Sequence, residues 1–253
     1  MIVCKSPAEI EKMRTASTLV AEVLAELAGM VAPGVSTLDL DIEAERLVRA
    51  AGAEPAFKGY RGYPCTLCAS ANDEVIHGIP SKRPLVEGDI VSLDMGVKQH
   101  GFFGDSAITV PVGRVSEQAQ LLLKVTRESL EKGIAQVRLG GRVSDIGHAI
   151  QQHVEAHGFS IVREFVGHGI GASLHEDPQI ANYGEPGRGP RLAEGMTLAI
   201  EPMVNVGRPG VKMLADGWTA VTRDGSLSAH FEHTVAVSKN GPVVLTRAAA
   251  SVG

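Results

Sequence analysis

The sequence predicts an α+β protein of two layers, assembled from two related halves. Three observations carry this. Four stretches with helical apolar spacing come in two pairs, and each pair is followed by short β-branched segments punctuated by Gly and Pro. The segment 85–97, LVEGDIVSLDMGV, recurs at 192–204 as LAEGMTLAIEPMV, a shift of 107 that superposes Leu85 on Leu192, Gly88 on Gly195 and Asp94 on Glu201. The same shift places Gly34 on Gly141 and a helix cap at Thr37 on one at Ser144. Each half alone would leave a sheet face bare. They are expected to merge into one domain over 1–253, with copies at about 7–112 and 116–240 about a pseudo-two-fold axis.

The first helix opens with Ser6-Pro7-Ala8-Glu9, an N-cap serine, a proline at the first helical position and a capping-box glutamate. Ile10, Met13, Val20, Val23, Leu24 and Leu27 supply its apolar face, and Gly29 is its expected stop. A second helix is expected from Thr37 through Ile42, Leu47 and Val48 to Gly52. A third starts near Ser116-Glu117 and carries Leu121, Leu122, Val125, Leu130 and Ile134. The fourth runs from Ser144 through Ile146, Ala149, Ile150 and Val154 to Gly158. Strand character falls on 85–97, 105–112, 196–206 and 231–237.

Composition excludes several classes of function. With 24 Lys and Arg against 29 Asp and Glu, net charge −5 and no long basic run, nucleic acid or an acidic membrane surface is not expected as a partner. No signal peptide or membrane span is legible, and three cysteines make no disulfide framework, so a cytoplasmic protein is expected. Its 44% hydrophobic content supports a sizeable core.

Asp94, Asp105, His168, Glu201 and Glu232 each mark the polar point of an apolar or Gly-rich segment. No Lys or Arg occurs in the four residues before any of the acids. A half-buried carboxylate requires a cation or dense hydrogen bonding, so four acids without local counter-charge point to a metal site. Oxygen-rich ligands with one imidazole suit Mn, Fe, Co or Zn. Asp94 and Asp105, with Gly96, Gly101 and Gly104 between them, fit a hairpin that brings both acids together at one end. Asp105 and Glu232 each precede an alternating strand, so each half supplies two carboxylates.

Gly167-His168-Gly169-Ile170-Gly171 strips side chains from both sides of one imidazole. It is not a dinucleotide fingerprint, and His168 with His175 lacks the spacing of a helical zinc-protease pair. Cys65-Thr-Leu-Cys68 has no second C-x-x-C to complete a zinc site. His100, His148, His153 and His157 read as surface residues. On a strand His230 shares the face of Glu232 and could support the ligands, whereas His233 points away.

Asp94-x10-Asp105, Gly-His168-Gly-Ile-Gly, Leu174-His175-Glu176-x-Pro178, Glu201-Pro-Met, Phe231-Glu232-His-Thr and Val75-Ile-His77-Gly-Ile-Pro together resemble the motif set of type I methionine aminopeptidases. Six motifs in order span nearly the whole chain. The resemblance implies the pita-bread fold, a curved antiparallel sheet with helices on its outer face. It is to the minimal bacterial form, without a type II insertion or a zinc-finger extension. It implies two divalent metal ions (Co, Mn, Fe, Zn or Ni): Asp94 chelating one, Asp105 and Glu232 bridging, His168 and Glu201 completing the other. A hydroxide shared by the metals would attack the peptide carbonyl, with Glu201 moving the proton, His175 stabilising the oxyanion and His77 at the scissile amide.

The same resemblance assigns a methionine pocket to Phe57, Tyr60, Tyr63, Cys68 and Trp218 with Leu174 at the rim, suited to an unbranched, polarizable side chain. The substrate would be the initiator methionine of nascent polypeptides near the ribosome after deformylation, removed where the next residue is small. A monomer is expected. His230 departs from the glutamine common in the family. With Ile at position 2, the chain is expected to keep its own Met1. The rival readings are a proline-specific peptidase of the same fold and a binding protein that has lost catalysis; the complete ligand set argues against the latter.

Overall fold

Alternating side chains along one long hairpin organise the structure. In the computed structural model, which describes residues 1–247, Ile90–Gln99 and Phe102–Pro111 pair antiparallel over ten residues, from Ile90 opposite Pro111 to Gln99 opposite Phe102. His100 and Gly101, both with positive φ, make the two-residue turn. Val91, Leu93, Met95 and Val97 point to one face and are buried; Ser92, Asp94 and Gly96 point to the other. Residues 248–253, the end of the expected domain, lie outside the described residues.

Around this hairpin a nine-stranded sheet runs Glu54–Pro55, Ile90–Gln99, Phe102–Pro111, Glu232–Ser238, Thr197–Ile200, Gly167–Gly169, Glu176–Ile180. Cys68–Ala71 adds to Ile90–Gln99, and Gly241–Val244 to Glu232–Ser238. All these pairings are antiparallel. Four helices, α1 (Pro7–Met30), α2 (Thr37–Ala50), α3 (Glu117–Ile134) and α4 (Val143–Ala156), back the sheet. Leu24, Leu27, Leu40 and Val48 of α1 and α2 pack on Leu93 and Met95. Leu122, Ile134, Ile146 and Ile150 of α3 and α4 pack on Leu198, Ile200 and Val235. One face of the curled sheet is therefore sealed by helices, and the other is left for chemistry.

Several boundaries differ from expectation. Helix α1 continues through Gly29 to Met30 before Pro33 and Gly34 turn the chain. Ile42 is 59% exposed because Leu40, Ala44 and Val48 already form the buried stripe at four-residue spacing. Leu121 is likewise exposed beside buried Leu122. The helix caps are Ser36 and Arg142, not Thr37 and Ser144. Asp39 reaches back to the Ser36 amide and Asp145 to the Arg142 amide, at 3.0 and 2.8 Å. These counterparts, like Gly34 and Gly140 with their positive φ, lie 106 residues apart; strand starts Ile90 and Thr197 lie 107 apart. The offset of 107 therefore fits these strand starts, is one too large for the α2 and α4 caps, and is three too small for the α1 and α3 caps, Ser6 and Ser116, which lie 110 apart. His148 and His153 are half-buried with partners, Gly184 O and Glu128, rather than free surface residues.

The segment 196–206 splits into Thr197–Ile200 and Met203–Asn205. Pro202 has no amide hydrogen to continue a ladder. Met203–Asn205 instead joins Ser228–His230 and Ser160–Ile161 in a small sheet, and Val211–Met213, Ala220–Thr222 and Glu74–Ile76 form another. Glu201 is thus released just beyond a strand end. No helix among the described residues is long and apolar enough to cross a membrane.

Candidate metal centre and its apolar cleft

Strand register puts all five metal-ligand candidates on one face. Asp94 is opposite Ala107 and Asp105 opposite Gly96; Glu232 is also opposite Ala107, and Ala199 is opposite both Thr234 and His168. Residues facing across a ladder share a side, as do residues two apart. Asp94, Asp105, Glu232, His168 and, two beyond Ala199, Glu201 therefore project from the face without helices. The two aspartates sit in mid-strand, diagonal across the ladder, rather than at one end of the hairpin.

The seam between the first-half and second-half strands is joined largely by hydroxyls. Phe102–Pro111 and Glu232–Ser238 share only two paired positions. Thr234 Oγ1 donates to Asp105 O at 2.8 Å and accepts from its amide at 3.1 Å. Ser106 Oγ donates to Glu232 O at 2.6 Å, and Thr109 Oγ1 to His230 O at 2.7 Å. Side chains thus replace a short ladder where the ligands converge.

His168 is placed by its neighbours' lack of side chains. A Cβ on Gly167 would lie 2.3 Å from Ala199 O, and one on Gly169 would lie 2.1 Å from Asp177 O. His168 Nδ1 is 2.8 Å from Gly169 O, which fixes the Nδ1–H tautomer and directs Nε2 into the cluster. Nε2 lies 3.6 Å from Glu201 Oε1 and 4.0 Å from Asp105 Oδ2. Asp105, His168 and Glu232 offer ligand atoms all within 4.8 Å of one another.

The acids are buried without counter-charge. Asp94 Oδ1, Asp105 Oδ1 and Glu232 Oε1 have no hydrogen-bond partner. Burial pushes Asp105 up to about 7. Burial, then the charge of Asp105, pushes Asp94 well above the carboxylate range. Glu201 and Glu232 are raised by burial and by neighbouring carboxylates. Burial lowers His168 to about 4, so its imidazole is neutral and free to ligate. Four acids and one neutral imidazole with orphaned oxygens fit divalent cations.

Beside the cluster opens a cleft of about 660 Å³ including its mouth. It is lined by the metal-ligand candidates, by His77 and His175, and by Phe57, Tyr60, Tyr63, Cys68, Leu174 and Trp218, so every expected site residue reaches one cavity. Trp218 stands edge-on to Tyr63 at 5.1 Å and to His77 at 6.2 Å. Burial lowers His77 to about 4, and its backbone has a positive φ of 58°. His175 Nδ1 is 2.9 Å from the Tyr60 hydroxyl, and its ring lies 4.2 Å from that of His168. His233 turns away to Thr246 Oγ1, as expected. His230 is buried, 3.9 Å from Glu201 Oε2, with neither ring nitrogen bonded.

Two contributors escaped the sequence reading. Arg61 lines the cleft, its guanidinium 5.4 Å from the Tyr60 ring. Its left-handed backbone follows Gly59 and precedes Gly62, and that Gly-x-x-Gly frame was the available signal. Asp41 on α2 accepts from the Thr66 and Leu67 amides at 2.8 and 2.9 Å, holding the approach to Cys68; no local signal marks it.

A face bearing a carboxylate-rich candidate cation site beside an apolar cleft is the arrangement expected of a metal-dependent hydrolase. A family model for metallopeptidase family M24 matches residues 11–239. Methionine aminopeptidase 1 of Bacillus subtilis is 54% identical over 98% of this chain and 100% of its own length. That of Clostridium acetobutylicum is 53% identical over 97% and 99%. The crystal structure of methionine aminopeptidase from Thermotoga maritima superposes with a TM-score of 0.96 at 49% identity, covering 98% of this chain and 100% of that one. A prolidase from Pyrococcus horikoshii shares the fold at 22% identity and TM-score 0.79. The chain belongs to metallopeptidase family M24 and, within it, to the bacterial type I methionine aminopeptidases. Its fold is the pita-bread fold, and it is a hydrolase.

Proposed function

We propose that this enzyme removes the initiator methionine from nascent chains whose second residue is small, using two divalent cations held by Asp94, Asp105, His168, Glu201 and Glu232. The observation that carries this reading is the shared cleft: orphaned carboxylate oxygens and a wall of apolar and aromatic side chains belong to one cavity. Bound there, two cations would lower the pKa of the attacking water towards neutrality and polarise the scissile carbonyl. The methionine side chain would lie among Phe57, Tyr60, Tyr63, Cys68, Leu174 and Trp218, where sulfur–aromatic contact favours it.

The chain's own groups then share out the remaining work. Glu201 takes the proton of the attacking water as its oxygen bonds to the carbonyl carbon, and passes it to the leaving amine as the C–N bond breaks. Burial and the charges of Asp94 and Asp105 raise its proton affinity, and bound cations would offset the charge part. In the tautomer whose Nδ1 accepts from the Tyr60 hydroxyl, the His175 proton would sit on Nε2 and donate to the tetrahedral oxygen. His77, neutral and beside Phe165 and Trp218, would hydrogen-bond the scissile amide.

On this reading the enzyme acts in the cytoplasm, near the ribosome and after deformylation, as a monomer, and keeps its own Met1 before Ile2. One catalytic domain made of two copies of a helix–helix–strands unit would carry the site at their join. After loading with cation, turnover of Met-Ala-Ser should greatly exceed that of Met-Leu-Ser and of Xaa-Pro dipeptides. Equal rates on the first two, or preference for Xaa-Pro, would overturn the reading.

A further inference from the structure

The loop 171–176 carries His175 into the cleft; the His175 ring meets the Tyr60 hydroxyl, and the loop's first residue, Gly171, accepts from the Phe103 amide at 2.9 Å and donates to Ser173 O at 3.1 Å. Leu174 is buried in a cluster with Met13 and Ile170. On the far side of the loop lies the N-terminal strap, residues 1–5, which precedes α1. Lys5, only 7% exposed, directs its ammonium to Glu176 Oε2 and to Val3 O. The other oxygen of Glu176 accepts from the Ser173 amide at 3.1 Å. Glu176 thus bridges the strap to both ends of the turn that presents His175.

The surroundings are shaped for this pair. A Cβ on Gly171 would lie 2.2 Å from Lys5 Cε and 2.7 Å from both Lys5 Nζ and Glu176 Oε1. A Cβ on Gly195 would lie 2.4 Å from Lys5 O, where the Lys5 amide donates to Gly195 O at 2.7 Å. The ion pair has side-chain exposures of 4% and 13%. Buried charges are retained at a cost, and the geometry they impose is specific.

We propose that Lys5 is a positioning residue: through its buried ion pair with Glu176 it fixes the loop that aims His175 at the reaction. This rests on the role assigned to His175 above. Misplacement by about 1 Å can cost roughly 100-fold in rate. The Lys5→Met enzyme, cation-loaded, is therefore expected to lose about 10- to 100-fold in kcat with KM little changed and cation affinity unaltered. Lys5→Arg should restore most of the rate. The double variant Lys5→Met/Glu176→Gln, which leaves no unpaired charge, keeps the test open if Lys5→Met alone folds poorly.

The decisive comparison is the cycle with His175→Ala. If Lys5 acts through His175, Lys5→Met, or the neutral double variant, should cost little more once His175 is gone. Full additivity, or wild-type kcat in the folded double variant, would overturn the proposal. If His175→Ala itself leaves kcat unchanged, the assigned role of His175 fails instead, and the positioning proposal with it. The failure of each is thus separately visible.

Discussion

His168 owes its position to two side chains that are not there, and this much was legible in the Gly-His-Gly sequence. The sequence could not show that the space on either side is filled by the carbonyls of Ala199 and Asp177, since those contacts join distant strands. The acids were legible for a plainer reason: each ends or opens an apolar run with no cation nearby. Lys5 and Asp41 were not, because their partners are set by tertiary structure. Two predictions belong at this scale. Asp105→Asn should weaken cation binding at least as much as loss of a supporting partner does, about 10- to 100-fold, read by calorimetric titration. Metal-free protein should melt at a lower temperature at about pH 8.5 than at about pH 6.5. Asp105, at about 7 when folded against an ordinary aspartate value of about 3.8, keeps most of its proton at about pH 6.5 where the unfolded chain has released it, and stability falls as pH rises through that pKa. Below about 6.5 the buried neutral histidines act the other way, because the unfolded chain protonates them. Saturating cation should abolish the alkaline slope; a flat profile for metal-free protein would contradict the burial of these acids.

Among the elements, α1 and α3 were read closely because a cap residue and a 3.6-residue stripe agree. Ile42 and Leu121 misled since apolar residues outnumber the positions a helix can bury, and only packing selects the stripe. The cap shift from Thr37 to Ser36 arises because Asp39 reaches back three residues, a pairing that Thr37 could not make. The split of 196–206 was foreshadowed by Pro202, yet only the small sheet with Ser228–His230 explains where Met203–Asn205 goes. Helix α4 offers a test of this packing. Gly147 faces the backbone of the loop after Glu176–Ile180, where a Cβ would lie 2.1 Å from Ala181 O and 2.7 Å from Tyr183 N. Gly147→Ala should therefore lower the melting temperature by several degrees, about 1–3 kcal/mol of overpacking, despite alanine's higher helix propensity. A higher melting temperature would show that α4 can move off that loop.

At the scale of the whole molecule, the first half contributes Asp94 and Asp105, and the second contributes His168, Glu201 and Glu232. Hydroxyls of Ser106, Thr109 and Thr234 join the strands between them. The recurrence of one segment pointed to this arrangement in the sequence. The differing offsets of the helix caps, 110 for α1 and α3 and 106 for α2 and α4, did not show, because identities in the helical part are too few to fix a register. Cations bound across the join should tie the halves together. At 100 times its dissociation constant a ligand adds about 2.7 kcal/mol, so cation should raise the melting temperature of the wild type clearly and that of Asp105→Asn much less. The central claim is that these five residues make the peptidase metal-dependent. It is tested most directly by the turnover of Met-Ala-Ser as chelator-stripped protein is titrated with Mn or Co. The expected result is no turnover when stripped, rising with bound cation and lost again in Asp94→Asn. Full turnover by the stripped protein, or undiminished turnover by Asp94→Asn, would contradict it.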